Sequence, residues 1–247
     1  MGFYEQLSKY YDFIFPVGKE QLKFLKEAAG IPPKELLDIA CGSGGYSLEL
    51  AKAGYRMTAV DVDPEMVKLA EQKVRREGLA IEVRECDMLQ LANGLTGQYH
   101  CVFCIGNSIV HLGSHGEILA ALKQMHHLLA DKGCLVLQII NFDRIINREI
   151  KALPTIKNDE IGLEFVRRYN YKKESGLINF DTMLTVSHQE GEERYENSIE
   201  LFPLLCRQME ELLKASGFEH FHFYGDFNGS EYGEDSFLLV VKAVKHT

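Results

Sequence analysis

Residues 36–47 read LLDIACGSGGYS, an apolar run that leads directly into a cluster of glycines. Residues 36–40 have the composition of a buried strand, and residues 45–53 place Leu48 and Ala51 at helical spacing. Between them, Gly42 and Gly44 allow a tight turn and the close approach of a ligand to the backbone. The N-terminus of the helix adds unpaired N–H groups and the positive end of a dipole. This stretch therefore predicts a strand, a glycine loop and a helix that form a binding site.

The segments that follow repeat this alternation of short apolar runs and helical patterns. Continuous apolar strands between helices predict an α/β fold with a doubly wound, mostly parallel sheet that is covered on both faces. In such a sheet, ligands bind beyond the carboxyl ends of the strands. Further strands are predicted at residues 57–61, 81–86, 102–105 and 134–140, and helices at 64–77 and 115–130, with Asp131, Lys132 and Gly133 ending the last helix.

The pattern changes after about residue 150. Three runs rich in Tyr, Phe, Val and Thr predict an antiparallel meander, at residues 163–171, 177–188 and 194–202. A helix from Pro203 to about residue 216 and strands at 219–225 and 236–244 then complete a seven-stranded sheet. We therefore expect one binding domain from residues 1–150 and 203–247. Residues 151–202 are expected to form an inserted lid, a substrate-binding unit or an oligomer contact.

Composition and charge disfavour several classes of partner. The 247 residues carry 27 Lys plus Arg and 36 Asp plus Glu, a net charge of −9, so nucleic acid is not expected as a partner and Arg167-Arg168 reads as a solvated strand face. No apolar run is long enough to predict a membrane helix. Six scattered cysteines are typical of a cytoplasmic protein. Cys101 and Cys104, three apart on a strand, face opposite sides, so no metal site is expected.

The glycine loop alone does not identify its ligand. The third glycine of a dinucleotide fingerprint falls at Ser47, so that fingerprint is incomplete. Asp38, four residues before Gly42, suits a ligand with an ammonium group. Asp61, 19 residues after Gly42, has the place of a carboxylate that accepts hydrogen bonds from a ribose diol. The alternative for Asp61 is capping of the next helix, a role that Asp63 can also fill.

Two later strand ends carry further polar groups. Asp87 can accept a hydrogen bond from an adenine amino group, and Met88 can lie against the ring; the alternative is an exposed loop acid. Residues 103–112, FCIGNSIVHL, present Asn107 and His111 directly after Gly106. This last stretch marks either a simple turn or a site, and four agreeing strand ends favour a site.

These stretches, LLDIACGSGGYS, TAVDVDPEMVKLA, RECDML and FCIGNSIVHL, resemble the class I S-adenosylmethionine-dependent methyltransferases, with their Rossmann-like fold. The resemblance extends over essentially the whole chain. It implies S-adenosylmethionine as cofactor and S-adenosylhomocysteine as product. It assigns the cofactor contacts to Tyr11, Asp38, Ala40, Gly42, Gly44, Asp61, Val62, Asp87, Met88, Ile105, Gly106 and His111.

A narrower resemblance is to the glycine and sarcosine N-methyltransferase group. It is carried by Gly106-Asn107-Ser108 with His111, by Asn141-Phe142-Asp143, and by residues 224–227, YGDF. It implies that Asn107 faces the acceptor. That group has an arginine before the Asn-aromatic-Asp segment to hold the substrate carboxylate, but this chain has Ile140 there. Arg144, four residues later, is the remaining candidate for substrate binding, so glycine itself is not expected.

The resulting hypothesis is methyl transfer to a small-molecule acceptor, preferably an amine nitrogen. Alignment for in-line displacement is expected to matter more than acid–base catalysis. Asn107 and His111 are the candidate catalytic residues, with His111 either as a base or as a contact to the cofactor. The alternatives are O- or C-methylation, a nicotinamide-dependent oxidoreductase, and a non-catalytic cofactor-binding protein. A homo-oligomer is compatible with the meander.

Overall fold

The computed structural model describes residues 3–188 and 191–246, with side chains from Gln6 onward. Its main sheet has seven strands in the order β10-β11-β5-β4-β1-β2-β3. All neighbouring pairs are parallel except those made by β11, which runs antiparallel between β5 and β10. The strands are β1 (Glu35–Ile39), β2 (Arg56–Asp61), β3 (Ile81–Glu85), β4 (Tyr99–Cys104), β5 (Leu129–Ile140), β10 (His220–Tyr224) and β11 (Leu238–Val244).

Helices cover both faces of this sheet. Because side chains alternate along a strand, Leu37 of β1 lies in one apolar cluster and Leu36 in the other. The first cluster contains Leu122 of α6 and Leu213 of α8, and the second contains Leu25 of α2. The helices are α1 (Phe3–Ile14), α2 (Lys19–Ala29), α3 (Gly45–Lys52), α4 (Pro64–Glu77), α5 (Leu91–Gly94), α6 (His115–Leu128), α7 (Phe142–Asn147) and α8 (Cys206–Ala215).

A second, antiparallel sheet lies between α7 and α8 in the chain. Its order is β6-β7-β8-β9, formed by β6 (Ile156–Asn158), β7 (Leu163–Lys172), β8 (Leu177–His188) and β9 (Gly191–Leu201). One face of this sheet is buried, and one end of that face packs Leu163 and Leu184 against Leu7 and Ile14 of α1. Helix α1 therefore connects the second sheet with the main domain.

The predicted fold class is confirmed, and the differences are local. Helices α1, α2, α5 and α7 and strand β6 are additional to the predicted elements. The predicted turn at residues 131–133 lies inside β5, because Leu129 already pairs with Tyr99 and the chain then bulges, with Lys132 at φ 59°, before Cys134 pairs with Cys101. Helix α8 begins at Cys206 instead of Pro203. Among the described residues, no helix is both long and apolar enough to cross a membrane.

Candidate active site

The glycine loop forms a cradle at the carboxyl end of β1. Its backbone is left-handed at Ala40, Gly42 and Gly44, with φ of 57°, 54° and 77°. The loop is closed by a hydrogen bond of 3.0 Å from Gly44 N–H to the carbonyl of Cys41. A Cβ atom on Gly42 would collide with the hydroxyl of Tyr11, so this position requires glycine for space as well as for conformation.

Asp61, at the end of β2, is bonded to the glycine loop. Its Oδ2 accepts a hydrogen bond of 2.7 Å from Gly42 N–H, and its Oδ1 accepts one of 3.0 Å from Asp63 N–H. A carboxylate has about four acceptor positions, so both oxygens can still accept from a diol. Helix α4 is capped by Asp63, which accepts from Glu65 and Met66. The capping alternative for Asp61 is therefore not what the structure shows.

Asp38 is buried inside β1, beneath the loop. Its Oδ2 accepts a hydrogen bond of 2.7 Å from Ser47 Oγ, at the position where a dinucleotide fingerprint has its third glycine. Burial and, to a smaller extent, the charge of Asp61 raise the pKa of Asp38 to about 7, against the lowering effect of the hydrogen bond from Ser47. Burial also raises the pKa of Asp61, against the lowering effect of its backbone hydrogen bonds. The floor of the site thus holds two carboxyl groups that a cationic ligand would stabilise in their charged forms.

The end of β3 is held against the end of β2. Cys86 N–H donates a hydrogen bond of 2.9 Å to the carbonyl of Asp61. Asp87 follows, and its Oδ1 accepts 2.9 Å from Leu89 N–H, which fixes the turn. Met88 packs against the main apolar cluster, whereas Val62 beside Asp61 is 63% exposed. An apolar side chain open to solvent at a strand end can cover one face of a flat ring.

The loop after β4 is clamped to β5 by Gln138 and Asn107. Gly106 N–H donates to Oε1 of Gln138 at 2.8 Å, and Asn107 N–H donates to its carbonyl at 3.2 Å. In return, Oδ1 of Asn107 accepts a hydrogen bond of 3.0 Å from Ile140 N–H. Asn107 has φ 71°, a conformation that asparagine tolerates better than most residues. The side-chain oxygen of Asn107 therefore stabilises the loop, and its side-chain nitrogen is left to contact the substrate.

His111 ends the short 3-10 helix that follows, Ser108–His111. Its side chain is exposed, yet the surrounding protein desolvates the ring enough to lower its pKa. The imidazole is therefore neutral near neutral pH. The preceding residue, Val110, accepts a hydrogen bond of 2.9 Å from Phe202 N–H, just after β9. This bond joins the second sheet to the loop of Asn107 and His111.

Helix α1 lies across the glycine loop. The half-buried Tyr11 places its hydroxyl against Gly42, and desolvation together with the charge of Asp61 raises its pKa well above the ordinary value. The carboxylate of Asp12 accepts a hydrogen bond of 2.6 Å from Ser43 Oγ and forms an ion pair with Lys73 of α4. The helix is thus fastened on both sides of the loop.

The end of β5 carries the Asn-aromatic-Asp segment. Asn141, which is 1% exposed, caps α7 and donates from Nδ2 to the carbonyl of Ser236 at 2.9 Å. The hydroxyl of Tyr232 lies 2.9 Å from Oδ1 of Asn141 and 3.2 Å from Oδ2 of Asp143. These bonds hold the segment before β11 against β5. The guanidinium of Arg144 lies 5.6 Å from the ring centroid of Phe237, at this same edge.

Comparisons with known proteins agree with this geometry. A family model described as a methyltransferase domain matches residues 36–133. The glycine/sarcosine N-methyltransferase of Aphanothece halophytica is 27% identical over 228 residues, which is 92% of this chain and 81% of that protein. The enzyme of that name from Parasynechococcus marenigrum is 26% identical over 227 residues, covering 90% and 74%. A solved S-adenosylmethionine-dependent methyltransferase from Clostridium acetobutylicum superimposes with a TM-score of 0.82 at 16% identity, covering 99% of each chain.

The matched methyltransferase domain, the methyltransferase relatives and the solved structure together support a class I S-adenosylmethionine-dependent methyltransferase. Its cofactor is S-adenosylmethionine, which decides against the nicotinamide alternative. The methyltransferase domain and the methyltransferase relatives support an enzyme over a non-catalytic protein. The residues of the methyltransferase fit this cofactor. The left-handed backbone of the glycine loop leaves room for a close approach of the ligand, the acceptor positions of Asp61 suit a diol, and the exposed side of Val62 suits a ring.

The structure brings most of the predicted cofactor residues of the methyltransferase together. Direct contacts link Tyr11, Gly42 and Asp61, and Asp87 joins them through Cys86. Arg144, predicted to bind the substrate, lies on α7 beside Phe237. Their individual roles in binding remain predictions. The residues that the sequence prediction missed are Asp12, Ser43 and Lys73, which fasten α1, and Gln138, whose only sequence signal is one polar side chain inside an apolar strand.

Proposed function

We propose that this methyltransferase acts on an amine nitrogen of a small molecule. The observation that carries the proposal is the similarity to two glycine/sarcosine N-methyltransferases along nine-tenths of the chain. That similarity includes both the second sheet and the cofactor loops. We further propose that residues 1–150 and 203–247 hold the cofactor and that the inserted residues 151–202 form a wall over the acceptor.

The site is suited to alignment more than to acid–base chemistry. S-Adenosylmethionine, when bound, supplies a methyl group on a sulfonium, which is already a reactive donor. A neutral amine carries its own lone pair, and correct orientation in a site closed to water can lower the barrier by roughly 7–11 kcal/mol. The amide nitrogen of Asn107 and the neutral ring of His111 are the groups that we expect to orient the amine.

One observation favours a second candidate, O-methylation. The lowered pKa of His111 keeps the imidazole neutral, so it can accept a proton. A general base of this kind accelerates attack by a phenol or alcohol by about 10²–10⁴-fold. The identity of the acceptor atom therefore separates the two candidates. Glycine is not our proposed substrate in either case, because Ile140 stands where an arginine is needed for its carboxylate.

The experiment is methyl transfer from isotope-labelled S-adenosylmethionine to amines and to the alcohols or phenols of the same carbon skeleton. We expect labelled N-methyl products, identified by the chemical shift of the new methyl group, and S-adenosylhomocysteine in equal amount. A reaction without acceptor measures background hydrolysis. Label on oxygen or carbon only, or no product with any amine, would contradict the proposal.

A further inference from the structure

A polar row crosses the inner face of the second sheet. Arg167 of β7, Thr182 of β8 and Asn197 of β9 are cross-strand partners, so their side chains lie on one face. On one side of this row, Phe165 and Leu184 pack against α1. On the other side, Tyr169 and Phe180 pack against the main domain. The polar row thus lies between two apolar groups on the same face.

Arg167 carries a charge that has no acidic partner. It is half-buried, its Nε is buried without a hydrogen bond, and Nη2 donates 2.8 Å to the carbonyl of Pro154. Among the side chains that the structure describes, no carboxylate forms an ion pair with it, and desolvation lowers its pKa. Buried charges in proteins are normally paired. The guanidinium has five N–H donors, and the bond to the carbonyl of Pro154 uses one of them.

Tyr169 supplies a second unpaired donor, two residues along the same face. It is 3% exposed, and its hydroxyl is buried with no hydrogen-bond partner. The Tyr169 ring stacks on Phe180 with 5.2 Å between the ring centroids and meets Phe142 edge-on with 6.4 Å between them. These contacts hold the ring in place, so the hydroxyl stays away from solvent. A buried polar group without a partner costs about 1–3 kcal/mol. Two such groups on one face point to a ligand that accepts from both.

Neighbouring residues place these donors between α1 and the carboxyl end of β5. Phe142, in contact with Tyr169, directly follows Asn141 at the carboxyl end of β5. Phe165, whose ring lies 6.0 Å from the Arg167 guanidinium, packs in the cluster of α1, the helix that holds Tyr11 over Gly42. The pair thus lies between α1 and the strand end that carries Ile140 in place of an arginine.

We infer that Arg167 and the hydroxyl of Tyr169 form a subsite for an anionic group, carboxylate or phosphate, of the methyl acceptor. The inference rests on the proposed function, since the acceptor is then an amine that also carries an anion. The guanidinium binds two oxygens of such a group in parallel, and the phenol donates to one of them. The anion is then bound by the second sheet, at a place different from position 140.

Binding to the complex with S-adenosylhomocysteine tests the subsite without methyl transfer. The probes are amino carboxylates and aminoalkyl phosphates of increasing chain length, each paired with the neutral amine of the same skeleton. Calorimetry is expected to show that anionic probes bind and neutral amines do not, and the two anionic series distinguish carboxylate from phosphate. The affinity should fall about ten- to hundredfold in Arg167→Gln and less in Tyr169→Phe, with an intermediate loss in Arg167→Lys.

The control is Arg168→Gln, because Arg168 is exposed and points to the opposite face of the same strand. We expect this variant to bind the probes as the wild type does. With an acceptor that turns over, Arg167→Gln should raise KM while kcat and the affinity for S-adenosylhomocysteine stay close to wild type. A purely structural role would change all three and the melting temperature together.

Several outcomes overturn the inference. They are equal binding of neutral and anionic probes to wild type, no binding of any anionic probe, unchanged binding in Arg167→Gln, or loss of binding in Arg144→Gln alone. If Arg167→Gln fails to fold, the inference is still tested by Arg167→Lys and by comparing anionic and neutral probes on the wild type. Arginine-dependent anion binding combined with methylation on oxygen would sink the amine proposal and leave the subsite standing.

Discussion

The backbone N–H of Gly42 donates a hydrogen bond of 2.7 Å to Oδ2 of Asp61. The ends of β1 and β2 are joined by this bond, across 19 residues of chain. The glycine loop is therefore shaped by the same carboxylate that we expect to receive the ribose of the cofactor. Changes at either residue should affect both the loop and the cofactor affinity.

Gly42→Ala tests the space above the loop. The new Cβ would collide with Tyr11, and φ of 54° strains any residue other than glycine by about 1–2 kcal/mol. We expect a lower melting temperature and weaker binding of S-adenosylhomocysteine, measured by calorimetry. The control is Gly176→Ala, with φ of 71° but nothing within 4 Å of the added Cβ. Gly176→Ala should lose stability and keep its affinity for S-adenosylhomocysteine. Equal affinities of the two variants for this ligand would contradict a role of Gly42 in cofactor binding.

The stability of the protein should depend on pH through Asp38. Its pKa rises from 3.8 to about 7 on folding, because it is buried. The folded state then holds a proton that the unfolded state has lost, so the free energy of unfolding falls as pH rises from about 4 to about 7. Asp38→Asn lacks this titration and should gain stability relative to wild type over that range, by at most roughly 4 kcal/mol. Urea unfolding at a series of pH values measures this, and parallel profiles would contradict it.

The same carboxyl group makes a prediction for the cofactor. If the ammonium group of S-adenosylhomocysteine lies near Asp38, it favours the charged carboxylate, and binding near neutral pH releases a proton. Calorimetric titrations in two buffers of different ionisation enthalpy should show this release in wild type and not in Asp38→Asn. Equal proton release in both proteins would place the ammonium elsewhere.

The hydrogen bond and the ion pair of Asp12 should slow dissociation of the cofactor. Asp12 fastens α1 to Ser43 and to Lys73, whose side chain is only 11% exposed. Asp12→Ala and Lys73→Ala should each speed dissociation of S-adenosylhomocysteine, by about fivefold or less. The double variant should behave like Asp12→Ala, since the ion pair is already lost. Lys68→Ala, which breaks an exposed pair on the same helix, is the control, and stopped-flow fluorescence gives the rates.

Asn107 should affect turnover more than cofactor binding. Asn107→Gly keeps φ of 71° without strain but loses the bond to Ile140, whereas Asn107→Ala also adds strain of about 1–2 kcal/mol. We expect both variants to lose methyl transfer and to keep their affinity for S-adenosylhomocysteine, with the alanine variant less stable. Equal stability of the two would show that the backbone conformation is not constrained there.

The elements with strong local signals were predicted from sequence. Helix α4 is an example, because Asp63-Pro64 caps its start, Gly78 ends it, and its apolar residues recur at helical spacing. The strand ends of the main sheet followed from the alternation of strands and helices. The site residues on those ends, such as Gly42 and Asp61, could be named for the same reason, since all parallel strands end at one edge.

Contacts distant in sequence could not be predicted. Helix α1 packs on the second sheet through Leu7 and Ile14, and no local pattern announces a partner more than a hundred residues away. Gln138 accepts from Gly106 across 32 residues. The expectation of a solvated face at Arg167-Arg168 was right for Arg168 only; Arg167 is half-buried, because the second sheet turns this face toward the main domain.

The most direct test of the account is a calorimetric titration of S-adenosylhomocysteine into wild type, Asp61→Ala and Asp63→Ala. We predict one-to-one binding to wild type and binding at least about tenfold weaker to Asp61→Ala, where Gly42 N–H loses its acceptor. Asp63→Ala loses the cap of α4 and should be less stable by about 0.5–2 kcal/mol, with its affinity preserved. No binding to wild type, or wild-type affinity in Asp61→Ala, would contradict the site described here.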